Sequence, residues 1–244
     1  MIYIMSDIHG LFRQFIRMLK HINFYDSDTL YILGDVIDRG TGGIAMLNYC
    51  KSKPNIHLLK GNHEDMMEKA LTSEVYSDVN LWYSNGGDVT DHTLMRQGKE
   101  VEEELLAYIK SLPLYFDITV KEQPYLLIHA GLSTPFEGLR LNPKDFAPLT
   151  KDDILNYNVE EEIIFWNRKQ DATQRTRNTY FPEYKIIHGH TPHDGKCFFN
   201  NGCMNIDTGC AGNRELSCYC VNANKMYVLD IKADEFDEYI VEGD

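Results

Sequence analysis

Within its first 70 residues the chain repeats one order three times: a short apolar run, a polar turn, then a segment with helical periodicity. "IYIM" at 2–5, "TLYILGD" at 29–35 and "NIHLLKGNH" at 55–63 read as buried strands, continuous rather than alternating in hydrophobicity. After the first, "GLFRQFIRMLKHI" sets Leu11, Phe15, Leu19 and Ile22 at helical spacing; "GGIAMLNYCKS" and "EDMMEKAL" are the helices that follow the second and third. Strands separated by crossover helices imply a parallel sheet with helices on its faces.

Beyond residue 72 the pattern changes. Residues 73–112 carry turn signals and aromatics, then "EVEEELLAYIKSL", with Val101, Leu105, Ile109 and Leu112 on one helical face, and read as a helical cap. Strand candidates resume in "LPLYFDITV", "QPYLLIHAG", "YKIIHGHTP", "MNIDTGC", "LSCYCVN" and "KMYVLDI", whereas the polar segment 137–160 fits no element. There is no internal repeat. The expectation is an α/β fold of two packed sheets flanked by helices, forming a single domain over residues 1–244.

Composition narrows the class. With 244 residues, 43% of them hydrophobic, the chain can bury a substantial core. Its net charge of −13 and lack of any basic block argue against nucleic acid or an anionic membrane as partner. The opening "MIYIMSDIHG" lacks the basic flank and apolar length of a signal peptide, and no run approaches the ~20 apolar residues of a membrane span. Five of the six cysteines (Cys197, Cys203, Cys210, Cys218, Cys220; the sixth is Cys50) crowd the last fifth of the chain without a C-x-x-C pair, and read as buried thiols. A cytoplasmic protein is expected.

The chemistry lies just past the strands. Asp7 and His9 follow the first, Asp35, Asp38 and Arg39 the second, and Asn62, His63 and Glu64 the third; His129, then His188 and His190, follow later ones. Singly, each group has a structural reading: Asp-x-His as turn chemistry, Asn62 as a helix cap, His129 as a packed strand histidine. Jointly they bring ligand-type side chains to the carboxyl ends of several strands, where α/β proteins bind their ligands. Mixed carboxylate, imidazole and amide donors suit manganese, iron or zinc rather than calcium. A carboxylate shared by two cations would explain the crowding in "GDVIDRG": Asp35 bridges them and Asp38 serves another neighbour.

In this order, "DIHG", "GDVIDRG", "GNHE", "HAG" and "GHTP" resemble the signature of the PPP-type metallophosphoesterases of the calcineurin-like superfamily. The likeness is greatest to the bacterial and bacteriophage lambda-type serine/threonine phosphatases, and extends to "WYSNGG", "LPL", "WNR" and "IDTG". "IDTGCAGN" stands where the eukaryotic branch has a "SAPNYC"-like stretch, which speaks against the eukaryotic type.

The resemblance implies the metallophosphoesterase fold with a dinuclear metal site at the strand ends. Asp7 and His9 would bind the first metal, Asp35 both, and Asn62, His129 and His190 the second, with manganese expected first and iron or zinc as alternatives. His63 would protonate the leaving alcohol, held and kept charged by Asp38; Arg39 and Arg168 would grip the phosphate oxygens. His188 is left behind the ligands, and Glu64 is read as a favourable charge at a helix start. The implied activity is hydrolysis of phosphoserine and phosphothreonine, and of phosphotyrosine in a dual-specificity variant, in a phosphoprotein or phosphopeptide by a metal-activated water. A diadenosine tetraphosphate hydrolase is the second enzyme reading; Asp38, often Ala in that branch, favours the monoesterase. The reading from another class is an inactive fold used as a binding scaffold, against which stands the full set of ligands.

Overall fold

The computed structural model describes residues 1–133, 149–168 and 181–243. The first three strands and their helices follow the expected order: β1 (Ile2–Met5), α1 (Phe12–His21), β2 (Thr29–Ile32), α2 (Gly43–Ser52), β3 (Ile56–Leu58) and α3 (Asn62–Thr72). Both β1–β2 and β2–β3 pair in parallel. The segment 73–112 is more helical than its turn signals suggest, with α4 (Tyr76–Ser84) and α5 (Asp88–Gln97) ahead of α6 (Lys99–Ser111).

The second half supplies β4 (Tyr115–Val120), β5 (Gln123–Ile128), α7 (Lys151–Glu160), α8 (Ile163–Trp166), β6 (Lys185–His188), β7 (Cys203–Asn205), β8 (Glu215–Cys220), β9 (Lys225–Asp230) and β10 (Glu235–Ile240). Of the polar segment 137–160, residues 137–148 lie outside the described residues. Its remainder holds α7, entered through a Thr150–Asp153 capping box. The sequence reading did not include β10, because its acidic, exposed "EFDEYI" lacks an apolar run.

Two sheets result, ordered β10-β9-β8-β1-β2-β3 and β4-β5-β6-β7. Strand alternation divides their apolar side chains into three buried layers. Tyr3, Met5, Leu30, Ile32 and Cys218 face the layer filled by α1–α6, and this layer includes Phe15, Leu47, Met67, Leu105 and Ile109. Ile4, Tyr219 and Met226 meet Tyr125, Leu127 and Ile187 between the sheets. Leu126, Ile128 and Ile186 turn outward onto α7 and α8 through Ile154, Leu155 and Phe165. The fold is a two-sheet sandwich with helices on both outer faces. Neighbours such as Leu126 and Leu127 serve opposite layers, so a one-residue register slip would exchange them. Both sheets therefore hold their strand ends in fixed relation, and the polar residues lie beyond those ends.

Candidate active site

The loops after β1 and β2 are laced together by backbone hydrogen bonds: His9 N–H to Asp35 O (2.9 Å), Gly10 N–H to Val36 O (2.8 Å) and Gly40 N–H to His9 O (3.0 Å). A Cβ on Gly10 would overlap the Gly40 carbonyl, so both motifs end in a glycine where the loops touch. Asp7, His9, Asp35, Asp38, Arg39 and His190 all have left-handed φ, between +47° and +71°. Such residues cost about 1–3 kcal/mol each and persist where the surroundings enforce them. Six of the fourteen non-glycine residues with such φ among those described lie here.

Glu64 does more than favour a helix dipole. Fully buried, it accepts N–H bonds from Asp35 (2.8 Å), Val36 (2.9 Å) and Gly61 (2.9 Å), clamping the start of α3 to the loop after β2. Asp35 returns the tie by accepting from His63 N–H at 3.0 Å. Across the sandwich, Asp7 Oδ2 accepts from His190 N–H (3.0 Å) and from the Ser6 hydroxyl, joining the two sheets at the cleft floor.

Asp7, His9, Asp35, Arg39, Asn62, His63, Arg168 and His190 line one cleft of about 320 Å³. Among the described residues, two groups of ligand atoms within 4.8 Å of one another share Asp35: His9, Asp35 and His63, and Asp35, His129 and His190. Asn62 Oδ1 lies 2.8 Å from His129 Nε2 and 2.9 Å from His190 Nδ1. His9 and His129 give their Nδ1 hydrogens to Ile37 O (3.0 Å) and Leu33 O (2.7 Å), which leaves each Nε2 electron pair turned inward. His190 Nε2 is buried without a hydrogen-bond partner. Imidazole electron pairs and an amide oxygen converging beside buried carboxylates fit divalent cations. His188 is buried and belongs to neither group; Asp7, which lines the cleft, also lies outside both.

Burial pushes the Asp7 and Asp35 carboxyls well above their ordinary range, and neighbouring acids (Asp207 for Asp7, Glu64 for Asp35) add to it. Burial also holds His9 well below the imidazole range and brings His190 down to about 2. Bound cations would relieve the carboxylates and use the neutral imidazoles.

Asp38 lies behind His63, fully buried, with Oδ2 2.6 Å from His63 Nδ1. It also accepts from Trp82 Nε1 (3.0 Å) and Thr90 Oγ1 (2.6 Å), both from the helical segment. Burial raises Asp38 to about 7 against those two bonds, and lowers His63 well below its ordinary value, with Arg39, His129 and Arg168 adding to the effect. An imidazolium kept charged by Asp38 is thus opposed by burial. Arg39, its N–H fixed on Gly86 O (3.1 Å), reaches His9 Nε2 (3.0 Å) and His63 Nε2 (3.1 Å) with its two guanidinium nitrogens. Trp82 and Thr90 had no role in the sequence reading, although "WYSNGG" flagged the Trp82 segment, and Glu64 had only that of a helix-start charge.

Fold and site together are those of an α/β protein whose strand ends carry side-chain clusters able to hold divalent cations. Residues 1–211 match the family described as calcineurin-like phosphoesterase, and the chain belongs to that family. It is 29% identical over 219 residues to serine/threonine-protein phosphatase 2 of Salmonella typhimurium, covering 87% of this chain and 89% of that protein. It is 28% identical over 137 residues to the symmetrical bis(5'-nucleosyl)-tetraphosphatase of Salmonella paratyphi C, covering 55% of this chain and 44% of that one. The fold is also that of a cold-active protein-tyrosine phosphatase from Shewanella, with a TM-score of 0.59, 17% identity and coverage of 97% and 79%. Among the described residues no helix is long and apolar enough to cross a membrane.

Proposed function

We propose that this phosphoesterase is a phosphomonoesterase acting on phosphoserine and phosphothreonine in proteins, with a dinuclear manganese centre. The observation that carries the reading is the single carboxylate, Asp35, common to both groups of ligand atoms, beside a His63–Asp38 pair that can deliver a proton. Asp7, His9 and Asp35 would hold one cation, and Asp35, Asn62, His129 and His190 the other. When bound, the cations supply Lewis acidity toward the phosphate and an activated water. Arg39 and Arg168 line the cleft and would fork onto phosphate oxygens, holding phosphorus for in-line attack.

His63 Nε2 would give its proton to the departing serine or threonine oxygen, whose alkoxide is too basic to leave bare. Asp38 orients the ring through Nδ1, so that the opposite nitrogen, Nε2, faces the cleft. His63 also lies near His9 and Asp35 as a third ligand would; the Asp38 partnership favours the acid role. Similarity to the Salmonella serine/threonine phosphatase over most of both chains supports a phosphoprotein substrate. The second reading, hydrolysis of a dinucleoside tetraphosphate, rests on a relative matched over 44% of its length. A nucleotide phosphate leaves more easily than an alkoxide, so the buried acid pair favours the monoester.

Turnover by the manganese-loaded protein, compared as kcat/KM on a phosphoserine peptide, a phosphotyrosine peptide and diadenosine tetraphosphate, tests the choice. Preference for phosphoserine supports the proposal. Preference for the dinucleotide transfers the function to nucleotide hydrolysis and leaves the ligand assignment standing.

A further inference from the structure

The cleft holds a third arginine. Arg214 lines it together with Arg39 and Arg168, yet belongs to none of the motifs. It stands immediately before β8, its N–H on Gly209 O (3.3 Å) and its carbonyl accepting from Ile231 N–H (2.7 Å), so its backbone is fixed on both sides. Gly209, at φ +82°, lies against the guanidinium, and a Cβ there would overlap Arg214 Nε and Nη2. The glycine of "IDTG" thus provides the bed on which the arginine lies. Pro192, Ala211 and Gly212, small and uncharged, line the same cleft.

Two arginines already face the phosphate in the proposed reaction, so Arg214 is surplus to it. Its partner is Asp194, whose side chain is 89% exposed. An exposed ion pair adds little to stability, and an incoming anion can replace Asp194 at low cost. With a net charge of −13, the chain repels acidic ligands over most of its surface. A third guanidinium in the cleft offsets that locally, though it also faces Asp207 and Glu215, and its planar fork matches a carboxylate in two-point contact.

We propose that Arg214 forms a second anion subsite that receives an acidic side chain near the phosphorylated residue, making this a phosphatase of acid-flanked phosphopeptides. The proposal rests on the phosphoprotein reading above. Arg214 selects the substrate and takes no part in the chemistry.

The test compares kcat/KM of the manganese-loaded protein on phosphoserine peptides flanked on both sides by Glu, by Gln or by Lys. The wild-type protein is expected to favour Glu over Gln by roughly tenfold, the worth of one charge-assisted hydrogen bond, through KM. In Arg214→Gln the Glu-to-Gln ratio falls toward one. Arg214→Lys retains part of it, and Asp194→Asn, which frees the guanidinium, raises it. An Arg214 that merely ties down Asp194 would give a ratio that none of these variants moves, and that result overturns the proposal, as does a wild-type protein indifferent to the flanks. Absence of peptide turnover alongside diadenosine tetraphosphate hydrolysis that weakens in Arg214→Gln also overturns it. In that case the phosphoprotein reading has failed, and Arg214 holds a phosphate of the nucleotide chain.

Discussion

The cleft has two walls that hold their polar groups in opposite ways. On the wall formed by α4, α5 and the turn between them, Trp82 and Thr90 bond a fully buried Asp38, and Gly86 fixes the backbone of Arg39. On the other, the turn through residues 207–214 presents Arg214 to a solvent-exposed Asp194. A hydrogen bond to a buried charge is worth about 1.5–3 kcal/mol, and its loss strands the group it served. An exposed pair is weak and can be exchanged for a ligand. The first wall therefore suits groups whose position sets a rate, and the second suits a group that chooses among substrates. Changes to the floor and first wall should act on kcat, and changes to the second on KM and selectivity.

The largest effect is expected at the floor, where Asp35 serves both ligand groups. Asp35→Asn removes several kcal/mol of charge stabilisation and should lower kcat/KM by on the order of 10³-fold or more. Calorimetric titration should find fewer than two manganese sites; two intact sites would remove Asp35 from the bridging role. His63→Asn comes next, with turnover of a phosphoserine peptide falling by roughly 10²–10⁴-fold while both metals stay bound. Loss of a metal in that variant would make His63 a ligand instead of the acid.

Smaller effects probe the first wall. Trp82→Phe and Thr90→Val each delete one bond to Asp38 and should lower kcat on the phosphoserine peptide by about tenfold, with KM little changed. On 4-nitrophenyl phosphate, whose leaving group departs without a proton, the loss should be clearly less. Equal losses on both substrates would mean that Trp82 and Thr90 support the fold rather than the proton donor.

The smallest effect is a pH signature of the floor. Asp7 and Asp35 have folded pKa values raised by burial, so their stabilising contribution is present at low pH and lost as pH climbs through the raised values. His9 and His190 are depressed, so theirs is complete above the ordinary imidazole value of 6.5 and lost as pH falls below it. Metal-free protein should therefore lose the carboxyl contribution as pH rises from 3.8 through the raised values, and added manganese, which binds the bare carboxylates, should restore stability most above them. Melting temperatures with manganese and with a chelator should diverge as pH rises, by roughly a few degrees; curves that run parallel would contradict the assignment.

Most strands and the polar residues beyond their ends were legible in the sequence, because a buried parallel strand must be a continuous apolar run and its end must be polar. "IYIM" before Asp7 and "TLYIL" before Asp35 are such cases. β10 was not legible, since Glu235, Asp237 and Glu238 keep an edge strand soluble by breaking any apolar run. α4 and α5 were obscured by the asparagine and glycines between them, which end one helix and start the next. Glu64 read as an ordinary helix-start acid because two of its three backbone partners, Asp35 and Val36, lie 29 and 28 residues upstream.

The sequence alone determined the order of most strands and of the first three helices, the two-sheet α/β fold and which side chains stand at the strand ends. Those follow from local rules of periodicity and hydrophobicity, which act over a few residues at a time. Tertiary structure alone decided that Asp35 is common to two ligand groups, that Trp82 and Thr90 reach Asp38 from 44 and 52 residues away, and that Arg214 turns into the same cleft as Arg39. Sharing a carboxylate, orienting a proton donor and choosing a neighbour for the phosphate all depend on contacts of a few ångströms between distant segments. Only the packing of the two sheets and the helical segment sets those distances.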